Sequence, residues 1–249
     1  MKRSIFETRS ILSFTLLTLI FLIFSVACNR NPTTRTEVVQ ELETQILRAE
    51  DLEKLTPDSV MRLLEQGNQN FVSKSMQPRD PQAQLNLAAQ IGQAPKAIVL
   101  SCIDSRVPVE TIFDMGIGDI FVARVAGNVV NDDMLASMEY ACKYIGSKVI
   151  VVLGHESCGA VNAACAGLRD GNLTELMHKI QPAVRLTEAD GGDPFSAEFQ
   201  SRAVANNVAV MVENIRKQSS TLAKMESDGK IKIVGGVFSI YTGEVEFDK

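Results

Sequence analysis

Lys148-Val-Ile-Val-Val-Leu153 is the stretch that decides the fold, and Gly154-His-Glu-Ser-Cys158 follows it directly. A continuous run of β-branched and aliphatic residues is typical of a strand that is buried on both faces of a parallel sheet. A second apolar run, residues 97–100, leads in the same way towards Cys102-Ile-Asp-Ser-Arg106. Open α/β sheets bind ligands at the carboxyl ends of their strands, so both polar motifs are predicted to lie at one edge of the sheet.

Strands and helices are predicted to alternate around these two runs. Further strands are predicted at 120–125, 231–239 and 244–247. Helices are predicted at 37–55, 85–91, 132–145, 159–167, 173–187 and 197–219, and Thr56-Pro57-Asp58 opens another. Asp132 or Asp133 is expected to cap the helix at 132–145. This order predicts an α/β fold, with a mainly parallel β-sheet flanked by helices and an N-terminal helical arm.

The overall composition bounds the class of protein. A chain of 249 residues allows one large α/β domain or two small ones, and 45% hydrophobic residues is typical of a globular protein. The formal net charge of −5 argues against nucleic acid as a partner.

The first 27 residues differ from the rest and are predicted to be an export signal. Lys2, Arg3 and Arg9 precede the apolar segment 11–24, which is rather short for a membrane span. The following Ser25-Val-Ala-Cys28 resembles a bacterial lipoprotein cleavage site, which implies lipidation at Cys28 and a location in the cell envelope or periplasm. An uncleaved signal anchor and ordinary cleavage are the alternatives. Residues 28–55 are predicted to be a linker and an N-terminal helix.

Cys102, His155 and Cys158 together offer two sulfurs and one imidazole. Zn²⁺ is bound by such ligands in tetrahedral geometry, and three protein ligands leave a fourth position for water, as catalytic sites require. The alternatives are two core cysteines beside a loop histidine, or a Cys102–Cys158 disulfide. The other cysteines, Cys142 and Cys165, are expected to be buried small hydrophobic residues.

Asp104 and Arg106 are two residues apart and would share one face of an extended backbone. A bidentate pair with arginine would keep Asp104 ionised. Asp104 could then accept a hydrogen bond from a metal-bound water and orient that water towards the substrate. Two alternatives stay open: Asp104 occupies the fourth zinc position itself, or the pair is a structural salt bridge.

The paired motifs Cys-x-Asp-x-Arg and His-x-x-Cys, in the setting Val-Leu-Gly-His-Glu-Ser-Cys-Gly-Ala-Val, resemble those of the β-class carbonic anhydrases. The resemblance extends over residues 56–249 and includes Ala126-Gly-Asn128 and Ser137-Met-Glu-Tyr140. It implies reversible hydration of CO2 to bicarbonate by one zinc ion per subunit. The implied zinc ligands are Cys102, His155 and Cys158, and the implied catalytic pair is Asp104 and Arg106.

The resemblance also implies a substrate pocket. In plant-like members a glutamine nine residues before the first cysteine hydrogen-bonds the substrate, and Gln93 stands at that place here. The pocket aromatics correspond to Phe121 and Tyr140, and Ala126 replaces a pocket valine. The chain has no tryptophan, so the bicarbonate regulation of other members, which uses one, is not expected, and an open site is expected at neutral pH.

The family further implies a homodimer or a higher even homo-oligomer with the active site at the dimer interface. Leu63, Leu64 and Phe71 are candidate contacts, unless they pack within one subunit. Because two thiolates offset the charge of zinc, activity is expected to favour alkaline pH.

His178 is expected to be a surface residue and not a proton shuttle. The competing functions are CS2 or COS hydrolysis on the same fold, and a non-catalytic zinc-binding protein of the envelope.

Overall fold

The computed structural model describes residues 47–248. The predicted export signal, Cys28 and most of the helix predicted at 37–55 lie outside the described residues. Within them, five strands form one sheet: β1 (Ala97–Ser101), β2 (Ile120–Arg124), β3 (Val149–His155), β4 (Lys232–Phe238) and β5 (Val245–Phe247). The strand order is β2-β1-β3-β4-β5, and all neighbouring pairs are parallel except β4 and β5. The predicted α/β fold with a mainly parallel sheet is confirmed.

The helices of the described residues flank this sheet. They are α1 (Ala49–Lys54), α2 (Pro57–Val72), α3 (Pro81–Ile91), α4 (Val109–Ile112), α5 (Asp132–Glu139), α6 (Gly159–Cys165), α7 (Leu173–Ala189), α8 (Ala197–Gln218) and α9 (Ser220–Ser227). Within residues 47–248, none of them has both the length and the apolar character needed to cross a bilayer.

The central strands explain why the apolar runs are continuous. Every residue of β1 and β3 is buried, because helices cover both faces of the sheet. Alternate side chains of β1 enter two separate core clusters, with Leu100 in one and Val99 in the other. Ser101 at the end of β1 pairs with Leu153 of β3, so the residues that follow both strands emerge side by side.

Helix α2 begins where the sequence predicts it to begin. The Thr56 hydroxyl accepts a hydrogen bond from the Ser59 backbone N–H, and the Ser59 hydroxyl accepts one from the Thr56 N–H. Leu64 is fully buried within its own chain, so it is not available to a partner, whereas Leu63 is exposed and Phe71 is half-buried.

The helix predicted at 132–145 differs from the expectation at both ends. Asn131, and not Asp132 or Asp133, is the N-cap, because its side chain accepts the N–H of Met134. After α5 the chain continues as a π-helix, Tyr140–Ile145, in which the Gly146 N–H reaches the Ala141 carbonyl five residues back.

Helix α8 approaches the sheet closely because two glycines face it. A Cβ atom on Gly154 of β3 or on Gly235 of β4 would lie 2.5 Å from a methyl carbon of Val208. Such a distance is well inside normal contact, so neither strand position accommodates a side chain without movement of the helix.

Candidate metal centre

Three potential metal ligands converge at the carboxyl end of the sheet. Cys102 follows β1, His155 is the last residue of β3, and Cys158 immediately precedes α6. All three side chains are buried, and their sulfur and ring nitrogen atoms all lie within 4.8 Å of one another. The structure therefore brings the cysteine of the first motif together with the histidine and cysteine of the second, which lie 53 and 56 positions further along the chain.

The hydrogen bonding of His155 leaves one ring nitrogen for a ligand. Its Nδ1 lies 2.9 Å from the Glu156 carbonyl oxygen, which can only accept, so we assign the proton to Nδ1. Nε2 is then an acceptor, and it is buried with no hydrogen-bond partner. A buried ring nitrogen without a partner is costly, and coordination to a metal ion would satisfy it.

The two thiols interact directly. A hydrogen bond from Cys158, together with one from the Gly127 N–H, lowers the pKa of Cys102. The same hydrogen bond to Cys102, together with burial, raises the pKa of Cys158. A metal ion binds cysteines as thiolates, so coordination at this site would displace the thiol protons.

Asp104 is fixed beside these ligands by Arg106. The Arg106 Nε donates to Oδ1 at 3.0 Å, its Nη2 donates to Oδ2 at 2.8 Å, and its backbone N–H donates to Oδ1 at 2.9 Å. These bonds hold the pKa of Asp104 well below its usual range. Oδ2 lies 3.9 Å from the His155 Nε2, so an ionised carboxylate borders the set of donor atoms.

Two side chains outside the predicted site support it. Arg124, the last residue of β2, donates from Nε to the Cys102 carbonyl at 2.9 Å and from Nη2 to the Asp104 carbonyl at 2.6 Å. Glu156 accepts a hydrogen bond from the Ser239 hydroxyl at 2.5 Å, which ties the loop after β3 to the turn after β4. Sequence patterns carry little sign of either role, because both depend on which strands are neighbours.

Comparison with known proteins identifies the family. The family model described as carbonic anhydrase matches residues 97–245. Carbonic anhydrase 2 of Mycobacterium tuberculosis is 37% identical over 194 residues, which cover 75% of this chain and 90% of that protein. The carbonic anhydrase of Mycolicibacterium smegmatis is 34% identical over 197 residues, which cover 76% of this chain and 92% of that protein.

Similar solved structures indicate which class of carbonic anhydrase this is. A tetrameric β-carbonic anhydrase of the filamentous ascomycete Sordaria macrospora matches with a TM-score of 0.60 and 28% identity, over 66% of this chain and 84% of that one. The β-carbonic anhydrase CcaA matches with a TM-score of 0.61 and 25% identity, over 77% of this chain and 96% of that one. The chain belongs to the β-carbonic anhydrases.

In this β-carbonic anhydrase, the predicted substrate-binding residues lie away from the metal ligands of their own chain. Gln93 is exposed in the loop before β1, whereas Cys102 follows β1, a strand of five residues that is about 16 Å long. Phe121 and Tyr140 line an apolar groove of about 630 Å³ along the edge strand β2. None of the three metal ligands lines that groove.

Three further expectations for this carbonic anhydrase concern single residues. The His178 side chain is half exposed and its Nε2 contacts the Arg169 guanidinium at 2.9 Å, so the predicted surface position is confirmed. Cys142 is buried as expected, and burial raises the pKa of its thiol to about 12. Cys165 is only half-buried, because it lies at the last turn of the short helix α6.

Proposed function

We propose that this chain catalyses the reversible hydration of CO2 to bicarbonate and a proton with one zinc ion per subunit. The observation that carries the proposal is the set of three buried donor atoms within 4.8 Å, one of them an unpartnered imidazole nitrogen. Two sulfurs and one imidazole nitrogen fit Zn²⁺ and leave one tetrahedral position open.

Each side chain then has a defined role. Cys102, His155 and Cys158 would hold zinc, which when bound supplies the Lewis acidity that lowers the pKa of water and makes it a nucleophile. Asp104 is ionised and can only accept hydrogen bonds, so it orients the attacking water with a lone pair towards CO2. Arg106 keeps that carboxylate ionised and, through two side-chain bonds, holds it in one orientation, which favours the open site at neutral pH.

The direct test is stopped-flow CO2 hydration by the full chain, with zinc quantified on the same sample. We expect rapid turnover at about one zinc per chain. Asp104→Ala should retain zinc and lose turnover, whereas the control Asp133→Ala, on the exposed start of α5, should retain both. Stoichiometric zinc without CO2 turnover from pH 6.5 to 9 would contradict the proposal, and CS2 and COS would then be tested as substrates.

A second copy of the chain would complete the pocket. Gln93, Phe121 and Tyr140 do not reach the metal ligands of their own chain, and Ile103, between Cys102 and Asp104, is 61% exposed. A solved relative is described as tetrameric. We therefore propose at least a homodimer, in which the groove along β2 of one subunit faces the metal centre of the other.

Mixed dimers test this arrangement. Asp104→Ala and Tyr140→Ala would each abolish activity alone, one at the metal centre and one in the groove. Random mixing makes about half of the dimers mixed, and each of these regains one intact site of two, so about a quarter of the activity should return. No recovery in mixtures that contain mixed dimers would show that each site is built from one chain.

For localisation we propose export to the cell envelope with a lipid anchor at Cys28. The support is the sequence alone: the basic start, the apolar segment 11–24 and the small residues before Cys28. Labelled fatty acid should enter the full chain and should be absent from Cys28→Ser, with Cys165→Ser as the matched control. Labelling that persists in Cys28→Ser would contradict this assignment.

A further inference from the structure

The sulfur of Cys102 receives a hydrogen bond from the backbone. Gly127 lies in the 3₁₀ turn Ala126–Asn128, and its backbone nitrogen, which donates, lies 3.4 Å from Cys102 Sγ. Gly127 has φ +68°, and a Cβ atom there would lie 2.8 Å from Ile180 and 3.3 Å from Ala160. The position and orientation of this N–H therefore depend on a turn that only glycine forms without strain.

Asn207 holds the same turn from the opposite side. It lies on α8, is fully buried, and donates from Nδ2 to the Gly127 carbonyl at 2.9 Å. Its Oδ1 is also buried and has no hydrogen-bond partner. The amide is therefore engaged through one hydrogen bond, to the carbonyl of the turn, and a leucine at this position would leave that buried carbonyl without its donor.

The distance between α8 and the turn is itself fixed. Val208, the next residue along the helix, lies against Gly154 and Gly235 and prevents α8 from moving closer to the sheet. Gly154 directly precedes His155, so the strand that carries one metal ligand also limits how closely Asn207 can approach the turn.

We propose that Asn207 is a positioning residue of the metal centre. It fixes the Gly127 carbonyl, which fixes the turn and thereby aims the Gly127 N–H at the sulfur of Cys102. Groups that hydrogen-bond to metal ligands orient those ligands, and their loss typically weakens metal affinity by about 10- to 100-fold. This inference rests on the proposed zinc site, and it extends that site to a residue 80 positions from Gly127.

The test compares Asn207→Leu with a control on the same helix. Asn206 also donates a side-chain hydrogen bond, at 2.9 Å to the Thr187 hydroxyl, but it does not contact the turn. The full chain and each variant are titrated with zinc against a chelator. The same proteins are loaded with Co²⁺, and the thiolate-to-cobalt charge-transfer band is recorded, since its energy reports on hydrogen bonding to the sulfur.

Asn207→Leu should bind zinc about 10- to 100-fold more weakly and shift the cobalt band, while Asn206→Ala should change neither. Asn207→Ser, which keeps a donor, should lie between Asn207→Leu and the unsubstituted chain, and it carries the test if Asn207→Leu does not fold. Unchanged zinc affinity and cobalt band in folded Asn207 variants would overturn the inference. Failure of the unsubstituted chain to bind zinc or cobalt would instead overturn the proposed zinc site.

Discussion

Gly154→Ala tests the close approach of α8 to the sheet. The new Cβ would lie 2.5 Å from the Val208 Cγ2 and 3.4 Å from the Val204 Cγ1. Valine is stiff in a helix, because one χ1 rotamer is strongly preferred, so Val208 cannot simply rotate away. The helix must move, and with it Asn207, while the strain also falls on the peptide that precedes His155.

The expected loss in the free energy of unfolding can be estimated for each single variant and for the double variant. Overpacking of this kind costs about 1–3 kcal/mol. Replacing glycine by alanine returns about 0.4–1 kcal/mol by restricting the unfolded chain, so the net loss of stability should be about 1–2 kcal/mol. Val208→Ala alone should cost about 2 kcal/mol through lost burial and a cavity. The double variant places the added methyl group in the vacated space, so it should lose only about 1 kcal/mol instead of a sum of about 3–4 kcal/mol.

Denaturant unfolding of the metal-free single and double variants measures this coupling. Gly159→Ala is the matched control, because a Cβ atom there has nothing within 4 Å, and it should gain about 0.4–1 kcal/mol by restricting the unfolded chain. Zinc affinity should fall in Gly154→Ala and recover in the double variant. Stability losses that add to within about 0.5 kcal/mol would refute the spatial reasoning, since independent sites behave in that way.

Three further outcomes are expected. Arg106→Lys should raise the pKa of Asp104 and reduce kcat at pH 7, because lysine cannot reproduce the bidentate bond. The variant should also have a lower melting temperature than the unsubstituted chain at neutral pH. The difference between the two melting temperatures should narrow as the pH falls below 3.8, because protonation of Asp104 removes the stability that its ion pair contributes. Lys96→Met should cost about 3–5 kcal/mol by leaving the buried Asp119 carboxylate without its partner, and adding Asp119→Asn should restore part of that loss in denaturant unfolding. Removal of zinc by a chelator should abolish CO2 hydration and lower the melting temperature, and added Zn²⁺ should restore both.

Local sequence signals were sufficient where one physical cause dominates. The continuous β-branched run before His155 is typical of a strand covered on both faces, and β3 is buried at every position. Thr56-Pro57 combines a cap with a residue whose fixed φ suits a first turn, and α2 begins there. The convergence of Cys102 with His155 followed from parallel strands ending at the same edge.

Features that depend on tertiary structure could not be predicted from local sequence patterns. Asn131, Asp132 and Asp133 are all good capping residues, and the backbone of the preceding turn decides among them. Asn207 has an ordinary helical context, so only the folded chain shows that it reaches Gly127. The family motif indicates Gln93, but a single chain places it at the opposite end of β1 from the metal ligands.

Because the π-helix Tyr140–Ile145 borders the groove, the shape of the groove depends on how many residues this segment has as well as on which residues they are. A π-turn is an α-helix that carries one extra residue, and one residue corresponds to a rotation of about 100° around the helix axis. Met138 and Cys142 are buried on one side of this segment, while Tyr140 and Tyr144 are exposed on the other, with their rings stacked at 6.2 Å. Deletion of one residue between Tyr140 and Tyr144 would rotate Tyr144 by about 100° relative to Tyr140 and break this stack, so Tyr140 would lose its support although every residue that lines the groove was retained.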